Sequence, residues 1–552
     1  MKRTSLAVLM IALALVALAA PLAYAQAPAP KVTINGLIDE VMSYTRNASN
    51  FDGIYNRNDL QWYGRTRGRF DIIGEVGKVK GVLGIELDMV YGQAGSNDST
   101  INSAGPATGV TTVTTQPGTS GSFDLNTDSR GIFELKWLYV EFPVPLIPIP
   151  TTARLGAQPF GSAANYKLAV YANGDFPGVN IVSQITPNVK IVSTYVAVEE
   201  NLVGTQTRTG LSGPLGVPNT QNRGDDFAVI LSPEVTPFKG LDIKPLWSWF
   251  YAQGTTSGSA RTPRGGINTS TAFTNPDGSS RGGIEENRYT VGLDARLRMG
   301  PFSFDPTVLY QFGNRGVITP GVSALCPAPC FAPSGAAAGQ KRYAKLDAWL
   351  FDLREGFQLG PLLIEALQVY STGNSARNNT LGTVRYFQPL DTDTSYLADW
   401  GTQISSLGLD YSNSPGSAAV RVGYPGNVIG WDKYGRGQLG LKATYAITPD
   451  LSIMAGANGH WTAEAVDRNA TPVAGAGLVP VFADPRPRDS SHYVGTEFMT
   501  LLSYRFAPGL VWDNAAGYMI AGPALDAITD PAAGARNAKD IFIYTSRIRF
   551  TF

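Results

Sequence analysis

The segment from Asp540 to Phe552 alternates apolar and polar residues, and this alternation constrains the fold more than any other feature of the chain. A period of two predicts a β-strand, because successive side chains of a strand point to opposite faces. Arg547 and Arg549 lie on one face. The other face carries Phe542, Tyr544, Ile548, Phe550 and Phe552. We expect the aromatic face to lie against lipid and the arginines to lie in water; an edge strand of a water-soluble sheet is the alternative.

The first 25 residues have the three parts of a secretory signal peptide. Lys2 and Arg3 precede an apolar run from Leu6 to Ala20, and Ala23-Tyr24-Ala25 supplies a small-x-small cleavage site. We therefore predict an exported protein in which residues 26–552 form one domain. The chain has 44 basic and 44 acidic residues, a balance that offers no electrostatic basis for nucleic-acid binding.

Beyond the signal peptide, the sequence has no run of eighteen apolar residues that would form a membrane helix. A membrane location would then require a closed barrel, because lipid cannot satisfy the open edge of a sheet. The length of the chain also exceeds the size at which a single water-soluble core usually stops growing. A large barrel is not subject to that limit.

Two cysteines, Cys326 and Cys330, occur in the sequence Cys-Pro-Ala-Pro-Cys. In an exported chain this spacing favours a disulfide within a loop. A metal site would need more ligands than two thiols. The sequence therefore predicts neither a metal nor another cofactor.

Three arginines alternate with apolar or small residues between Leu60 and Gly74. Arg65, Arg67 and Arg69 share one face, opposite residues that include Trp62 and Phe70. An arginine on the lipid side of a barrel costs about 2–4 kcal/mol near the middle of the membrane. The three guanidiniums should therefore point inward, spread over about 13 Å of depth.

The return strand of this hairpin, Val79 to Tyr91, places Glu86 and Asp88 on one face. In an antiparallel hairpin these carboxylates would face the same interior as the arginines. They are predicted either to form structural ion pairs or to act on a permeating solute. Asp39 on the first strand and Arg547 and Arg549 on the last would belong to the same wall.

Short turns and long polar connections alternate along the whole chain. Counted in this way the chain has 18 strands, or 16 if the segments between Ala153 and Gln184 merge. Alternation of this kind is typical of an up-and-down barrel with short periplasmic turns and long extracellular loops. The predicted strands are Val32–Tyr44, Leu60–Gly74, Val79–Tyr91, Ile132–Phe142, Ala153–Gln158, Gly178–Gln184, Val189–Glu199, Asp226–Leu231, Gly240–Tyr251, Tyr289–Met299, Phe302–Gly313, Lys341–Leu353, Pro361–Tyr370, Gly437–Ala446, Leu451–Thr462, His492–Phe506, Leu510–Ile520 and Asp540–Phe552.

Several faces and loops can be predicted within this scheme. Arg296 and Arg298 would face inward, as would the set Tyr343, Lys345 and Asp347. The connection from Phe160 to Asn173 could fold into the barrel, and Tyr396 to Leu409 is predicted as a short helix or an additional strand. An outward aromatic girdle is predicted at Trp247, Trp249 and Tyr251.

Enzymatic chemistry has little support in the sequence. The histidines are His460 and His492, and neither a Gly-x-Ser-x-Gly motif nor a phosphate-binding loop is present. His492 is the residue that a barrel hydrolase would use, although a polar residue at a strand end is the favoured interpretation. The sequence predicts that the protein is not an enzyme.

The chain resembles the porin superfamily of Gram-negative outer membranes in its signal peptide, its final Phe552, its alternating strands and its charged hairpin. In length and strand number it resembles the 16- and 18-stranded channels. The resemblance implies a location in outer-membrane lipid, passive passage of small polar or charged solutes, and possible assembly into homotrimers. The arginines and acids named above are the pore-lining residues that we predict.

Two other functions remain compatible with the sequence. A barrel plugged by its own long loops could anchor a surface layer or sheathe an electron-conducting partner protein. A barrel hydrolase using His492 is the third hypothesis.

Overall fold

The structure, a computed structural model, describes residues 28–48, 60–91, 122–123, 132–160, 171–199, 226–253, 285–318, 341–374, 383–392, 400–405, 434–466, 470–472, 480–482, 491–528 and 538–552. Most of these residues belong to β-strands of one sheet. The predicted signal peptide and the predicted Cys326–Cys330 disulfide lie outside the described residues.

The sheet contains 20 strands. Two of them, Ser122–Phe123 and Thr383–Val384, are two-residue segments that pair in parallel with longer strands. The other 18 form the barrel wall, each antiparallel to its neighbours, and run in chain order as β1 (Lys31–Arg46), β2 (Leu60–Val76), β3 (Val79–Tyr91), β4 (Ile132–Pro143), β5 (Thr151–Pro159), β6 (Asp175–Thr186), β7 (Val189–Glu199), β8 (Asp226–Phe238), β9 (Leu241–Gln253), β10 (Glu285–Met299), β11 (Phe302–Ile318), β12 (Lys341–Leu359), β13 (Leu362–Ser371), β14 (Gly437–Thr448), β15 (Leu451–Val466), β16 (Ser491–Ala507), β17 (Leu510–Ala521) and β18 (Ile541–Thr551).

The first and last strands close the barrel. β1 pairs with β18 from Leu37 opposite Thr551 to Arg46 opposite Phe542. Beyond this register, Gly36 and Phe552 exchange both backbone hydrogen bonds, at 2.9 and 3.0 Å. A sheet whose first and last strands pair has no free edge, so every strand of the wall can satisfy its backbone groups within the barrel.

The prediction of 18 strands is confirmed, and the alternative of 16 is wrong because β5 and β6 are separate, paired strands. Several strands are longer than predicted. The clearest case is β8, which was expected to end at Leu231 because Pro233 follows it. In the structure Pro233 lies opposite Ile191 and the strand continues to Phe238, with an irregularity in register between Val235 and Phe238.

Outward-facing side chains form an apolar surface with an aromatic girdle near each end of the barrel. On the loop side, aromatic rings follow one another around the wall; neighbouring rings in this girdle include Tyr195, Phe227, Trp249, Tyr289, Phe312, Tyr310, Trp349 and Phe351. On the turn side, Phe550 packs against Phe552, which lies beside Phe70. This is the distribution that a lipid bilayer favours, with amphipathic rings at both interfaces. The predicted girdle at Trp247, Trp249 and Tyr251 is part of it.

The face predicted for Tyr343, Lys345 and Asp347 is wrong. Tyr343 and Lys345 are exposed, and they alternate with Ala344 and Leu346, which are buried inside the barrel. The hydroxyl of Tyr310, which belongs to the loop-side girdle, donates a hydrogen bond to Asp347 at 3.2 Å. These charges lie at the rim of the membrane surface, where polar groups remain hydrated and cost little.

Three loop segments fold into the barrel. Tyr171 donates a hydrogen bond to Ser248, on the inward face of β9, at 2.7 Å, and is almost completely buried. Ala172–Asn173 pairs in parallel with Asp391–Thr392, which belongs to the long connection between β13 and β14. Residues 400–405 of the same connection contact the wall at β16. The inward folding predicted for the end of the 160–173 connection is thus observed.

Of the predicted Tyr396–Leu409 element the structure describes residues 400–405: Trp400 has 3-10 helical conformation, and turns and bends follow it; the remainder of the element lies outside the described residues. A six-residue 3-10 helix, Pro523–Ile528, follows β17. No helix among the described residues is long and apolar enough to cross a membrane.

Candidate functional site

The three arginines of β2 occupy successive inward positions, as the alternation predicted. Arg65 is almost completely buried, whereas the Arg67 and Arg69 side chains are 12% and 32% exposed. Exposure therefore increases from the loop side towards the turn side. The outward position Trp62 on the same strand is 70% exposed on the lipid side.

Two carboxylates of β3 bind all three guanidiniums. Arg67 donates to Asp88 at 2.7 and 2.9 Å, and Arg65 donates to the same carboxylate at 3.1 Å. Arg69 Nε donates to Glu86 at 2.9 Å. The register causes these pairs, because β2–β3 pairing sets Arg67 opposite Asp88 and Arg69 opposite Glu86. Paired arginine and carboxylate groups hold each other in fixed orientations.

The ion pairs continue across the closure between β1 and β18. Asp39 lies opposite Arg67 on one side and Arg549 on the other, and it accepts two hydrogen bonds from Arg549 at 2.6 and 2.5 Å. Arg547 donates to Asp513 on β17 at 3.2 and 2.6 Å. The predicted neighbourhood of Arg547, Arg549 and the β2 arginines is therefore present. Asp513 was not among the predicted pore-lining residues, although it occupies one of the inward-facing alternate positions of β17.

A bulge on β4 brings in two residues that strict alternation could not predict. The register with β3 shifts between Gly84 and Ile85, so both Lys136 and Trp137 reach the interior. Lys136 Nζ lies 3.1 Å from Asp175 and 3.6 Å from Glu86. Trp137 donates to Asp71 at 2.9 Å. A bulge turns consecutive side chains to one face, which no periodic pattern reveals.

These residues form one continuous surface, which we call the charged wall. It contains six cationic and six acidic groups from neighbouring strands and remains partly open to water, with Arg69 and Asp88 each 32%, Arg549 26% and Asp175 23% exposed. Its members are Arg65, Arg67, Arg69, Lys136, Arg547, Arg549, Asp39, Asp71, Glu86, Asp88, Asp175 and Asp513.

The wall on the other side of the barrel is covered by the inserted segments. Gln388 is held by Gln311, whose amide donates to the Gln388 carbonyl at 2.6 Å and accepts from its backbone N–H at 2.8 Å. Arg288 also donates to the Gln388 side chain, at 3.1 Å. Phe387 and Leu390 join a buried apolar cluster with wall residues of several strands. These contacts fill part of the interior on this side.

A second anchor holds residues 400–405. The Glu497 carboxylate on β16 accepts backbone N–H groups of Gln403, Ile404 and Ser405 at 2.6, 2.9 and 3.0 Å, and the Ser405 hydroxyl at 2.6 Å. The side chain of Glu497 is fully buried. The four donors together hold the carboxylate and the backbone of residues 403–405 in one arrangement. The long connection is therefore fixed to the wall at two separated places.

Arg296 and Arg298 have the inward parity predicted for β10 but lie apart from the charged wall. Arg298 pairs with Asp305 at 2.8 Å close to the β10–β11 turn. The structure thus separates these two predicted pore-lining residues from the eight others, Arg65, Arg67, Arg69, Glu86, Asp88, Asp39, Arg547 and Arg549.

The two histidines occupy structural positions. His492 Nδ1 lies 3.0 Å from the backbone carbonyl of Thr462 on the neighbouring strand, near the loop-side end of β16. His460 is completely buried, with Nε2 3.9 Å from Glu497. Neither arrangement is a nucleophile–histidine pair.

A closed barrel of 18 antiparallel strands, with an apolar outside, two aromatic girdles and a polar inside, is a transmembrane β-barrel of the outer-membrane type. Such barrels place their short turns in the periplasm and their long loops outside.

Among solved structures, the chain is similar to bacterial outer-membrane proteins along almost its whole length. A BenF-like porin from Pseudomonas fluorescens is 9% identical, with a TM-score of 0.46 over 95% of this chain and 98% of that chain. OccK8 (OprE) and the outer membrane protein OprD, both from Pseudomonas aeruginosa, are 10% and 8% identical, with TM-scores of 0.45 and 0.44; the alignments cover 95% and 96% of this chain and 98% and 95% of theirs. No family model and no curated protein matches the chain.

Proposed function

We propose that the protein is an outer-membrane porin, a passive diffusion channel in which small polar or charged solutes pass along the charged wall. The observation that carries this proposal is the charged wall, in which Arg69, Asp88, Arg549 and Asp175 remain 23–32% exposed to water. The inserted segments at Tyr171, Gln388 and Gln403 pack against inward side chains of β9, β11 and β16.

The charged wall would act on a solute through its field. Hydrocarbon imposes a high barrier on ions, and a wet, charged passage lowers that barrier. Because each guanidinium lies beside a carboxylate, opposite charges face the passage at short separation. A solute that carries both a positive and a negative group can contact the carboxylate and the guanidinium of one ion pair after another along the wall. A simple ion is attracted by one member of each pair and repelled by the other. Small dipolar solutes are therefore the class that the wall suits best.

The first experiment is a single-channel recording of the purified protein in a planar bilayer under a KCl gradient. Stable conductance steps are expected. A correctly folded barrel that carries no current would contradict the proposal, and would instead favour a barrel plugged by its inserted segments that anchors a surface layer or another protein.

Two opposite substitutions test the role of the charged wall. Asp88→Asn leaves Arg65 and Arg67 under-compensated and should shift the reversal potential towards anion selectivity, while Arg67→Gln should shift it towards cation selectivity. Arg298→Gln is the matched control, because it removes an inward arginine outside the wall and should change selectivity least. Equal shifts for Arg67→Gln and Arg298→Gln would show that the wall does not line the passage.

A further inference from the structure

One short connection on the turn side of the barrel differs from all the others there. Residues 144–150, which we call the proline-rich turn, join β4 to β5 with the sequence Val-Pro-Leu-Ile-Pro-Ile-Pro. Every other turn-side connection has two residues, drawn from Gly, Pro, Lys, Asn and Asp. Two residues are enough to join antiparallel neighbours. The additional length and the purely apolar side chains of the proline-rich turn therefore need another explanation.

The large side chains of the proline-rich turn remain exposed. Leu146 is 83% exposed, more than any other large apolar side chain that the structure describes, and Ile147 and Ile149 are 46% and 38% exposed. Hydration of a contiguous apolar patch is unfavourable, so such a patch marks a contact with another apolar surface.

The backbone of the turn is held in an unfavourable conformation. Leu146 has a φ of +66°, in the left-handed region where a residue with a Cβ is strained. Hydrogen bonds fix the base of the turn on both sides of this residue. The Val144 N–H donates to the Thr151 carbonyl at 2.8 Å, and the Pro150 carbonyl accepts from the Gln184 N–H on β6 at 2.9 Å. A strained residue that its surroundings maintain is an indication of a functional position.

Few polar groups of the proline-rich turn need water. No side chain of residues 144–150 has a polar atom, and the three prolines lack a backbone N–H. The Val144 N–H is bonded at the base of the turn, so the remaining N–H groups are those of Leu146, Ile147 and Ile149. Desolvation of polar groups is the main cost of moving a chain segment from water into an apolar environment. That cost is low for this turn.

We propose that the proline-rich turn inserts into the periplasmic leaflet of the outer membrane, with Leu146 at the boundary between headgroups and acyl chains. The turn continues the lipid-facing surface of the barrel, because Leu135, Leu138 and Val140 on the outward face of β4 are 55%, 54% and 38% exposed. Apolar side chains gain burial at this boundary without crossing the membrane. Insertion holds β4, the strand whose bulge contributes to the charged wall, at a fixed depth.

A protein partner fits the turn less well than lipid does. Protein interfaces form about one hydrogen bond per 100–200 Å², and this turn offers few groups for them. Receptors for proline-rich segments bind a continuous polyproline II helix, in which φ is about −75°. The left-handed Leu146 interrupts such a helix between Pro145 and Pro148. Acyl chains require neither hydrogen bonds nor a regular backbone.

The test attaches a polarity-sensitive fluorophore to Leu146→Cys in the full chain, reconstituted in phosphatidylcholine vesicles, with Cys326→Ser and Cys330→Ser removing the natural thiols. Asn188→Cys in the same background is the matched control, because Asn188 is exposed in the two-residue turn between β6 and β7. Lipids that carry a nitroxide at the top of the acyl chain should quench the fluorophore at position 146 several-fold more than the one at position 188. Aqueous iodide should show the opposite order.

Equal quenching by lipid at the two positions would overturn the proposal. A fluorophore at position 146 that iodide reaches in pure lipid vesicles but not in native outer-membrane preparations would also overturn it, and would indicate a protein partner instead. Heat-dependent migration on detergent gels verifies that each labelled variant is a folded barrel. Neither quenching measurement depends on ion conduction, so a failure here is separate from a failure of the channel function.

Discussion

At the scale of single residues, the interior is organised by pairing of opposite charges rather than by a positive surface. The sequence predicted five arginines and three acids, Asp39, Glu86 and Asp88, on one wall. In the structure every one of these arginines lies beside a carboxylate, and Asp513 and Lys136 extend the pattern. An unpaired charge inside a barrel would lose hydration without compensation, which favours alternation.

The closure pair provides a residue-scale prediction. Asp39 is almost completely buried where β1 pairs with β18. The substitution Asp39→Asn therefore leaves Arg549 without its carboxylate partner in a poorly hydrated place. We expect a loss of about 1–3 kcal/mol in the free energy of unfolding, less than for a fully buried pair because Arg549 is partly hydrated. Urea unfolding of both proteins in lipid vesicles measures this difference in the free energy of unfolding.

Asp450→Asn is the control for the closure pair, because the Asp450–Arg505 pair lies in the turn region, where both side chains are more than half exposed. Exposed pairs contribute little, so the two variants should differ clearly. If both variants were equally stable, the pairing of β1 with β18 would depend on its backbone hydrogen bonds alone.

At the scale of elements, the long connection between β13 and β14 decides how much of the barrel is free. Its two anchors use different chemistry: Gln311 binds Gln388 through a reciprocal pair of amide hydrogen bonds, whereas Glu497 gathers three consecutive backbone N–H groups. Both anchors are buried side chains of the wall. A loop with such partners is part of the packed interior.

The second anchor gives the element-scale prediction. Glu497→Gln replaces a charged acceptor of four hydrogen bonds by an amide, whose NH₂ cannot accept from an N–H group. Residues 400–405 should then detach more often, and we expect larger or more fluctuating conductance in single-channel records. Glu355→Gln on the outward face of β12 is the control. Unchanged conductance and noise in Glu497→Gln would mean that this segment does not border the passage.

At the scale of the whole molecule, the charge balance of the interior predicts weak ion selectivity. The charged wall carries six cationic and six acidic groups, and the chain as a whole has equal numbers of basic and acidic residues. A nearly balanced wall should produce a small reversal potential in a KCl gradient, in contrast to a channel lined by one sign of charge.

The selectivity of the single-charge variants should depend on ionic strength. Screening lengths fall from about 10 Å at 0.1 M salt to about 3 Å at 1 M. The shifts produced by Asp88→Asn and Arg67→Gln should therefore shrink at high salt. Shifts of the same size at 0.1 M and 1 M would point to a change in pore shape rather than in electrostatics.

The sequence by itself determined the barrel and the inward direction of the β2 arginines, because a strand facing lipid on one side and water on the other must alternate. It predicted 18 strands with 16 as the alternative, and the pairing of β5 with β6 decided between them. The alternation rule reaches only as far as regular pairing does. The alternation rule did not predict the bulge that turns both Lys136 and Trp137 inward. It also did not predict that Lys345 faces outward at the rim of the membrane surface. The register between strands that are distant in sequence, such as Asp39 opposite Arg549, is known only from the closed barrel. The inward folding of the long connection between β13 and β14 was decided by tertiary contacts alone, because its anchors, Gln311 and Glu497, lie in other strands and carry no local signal.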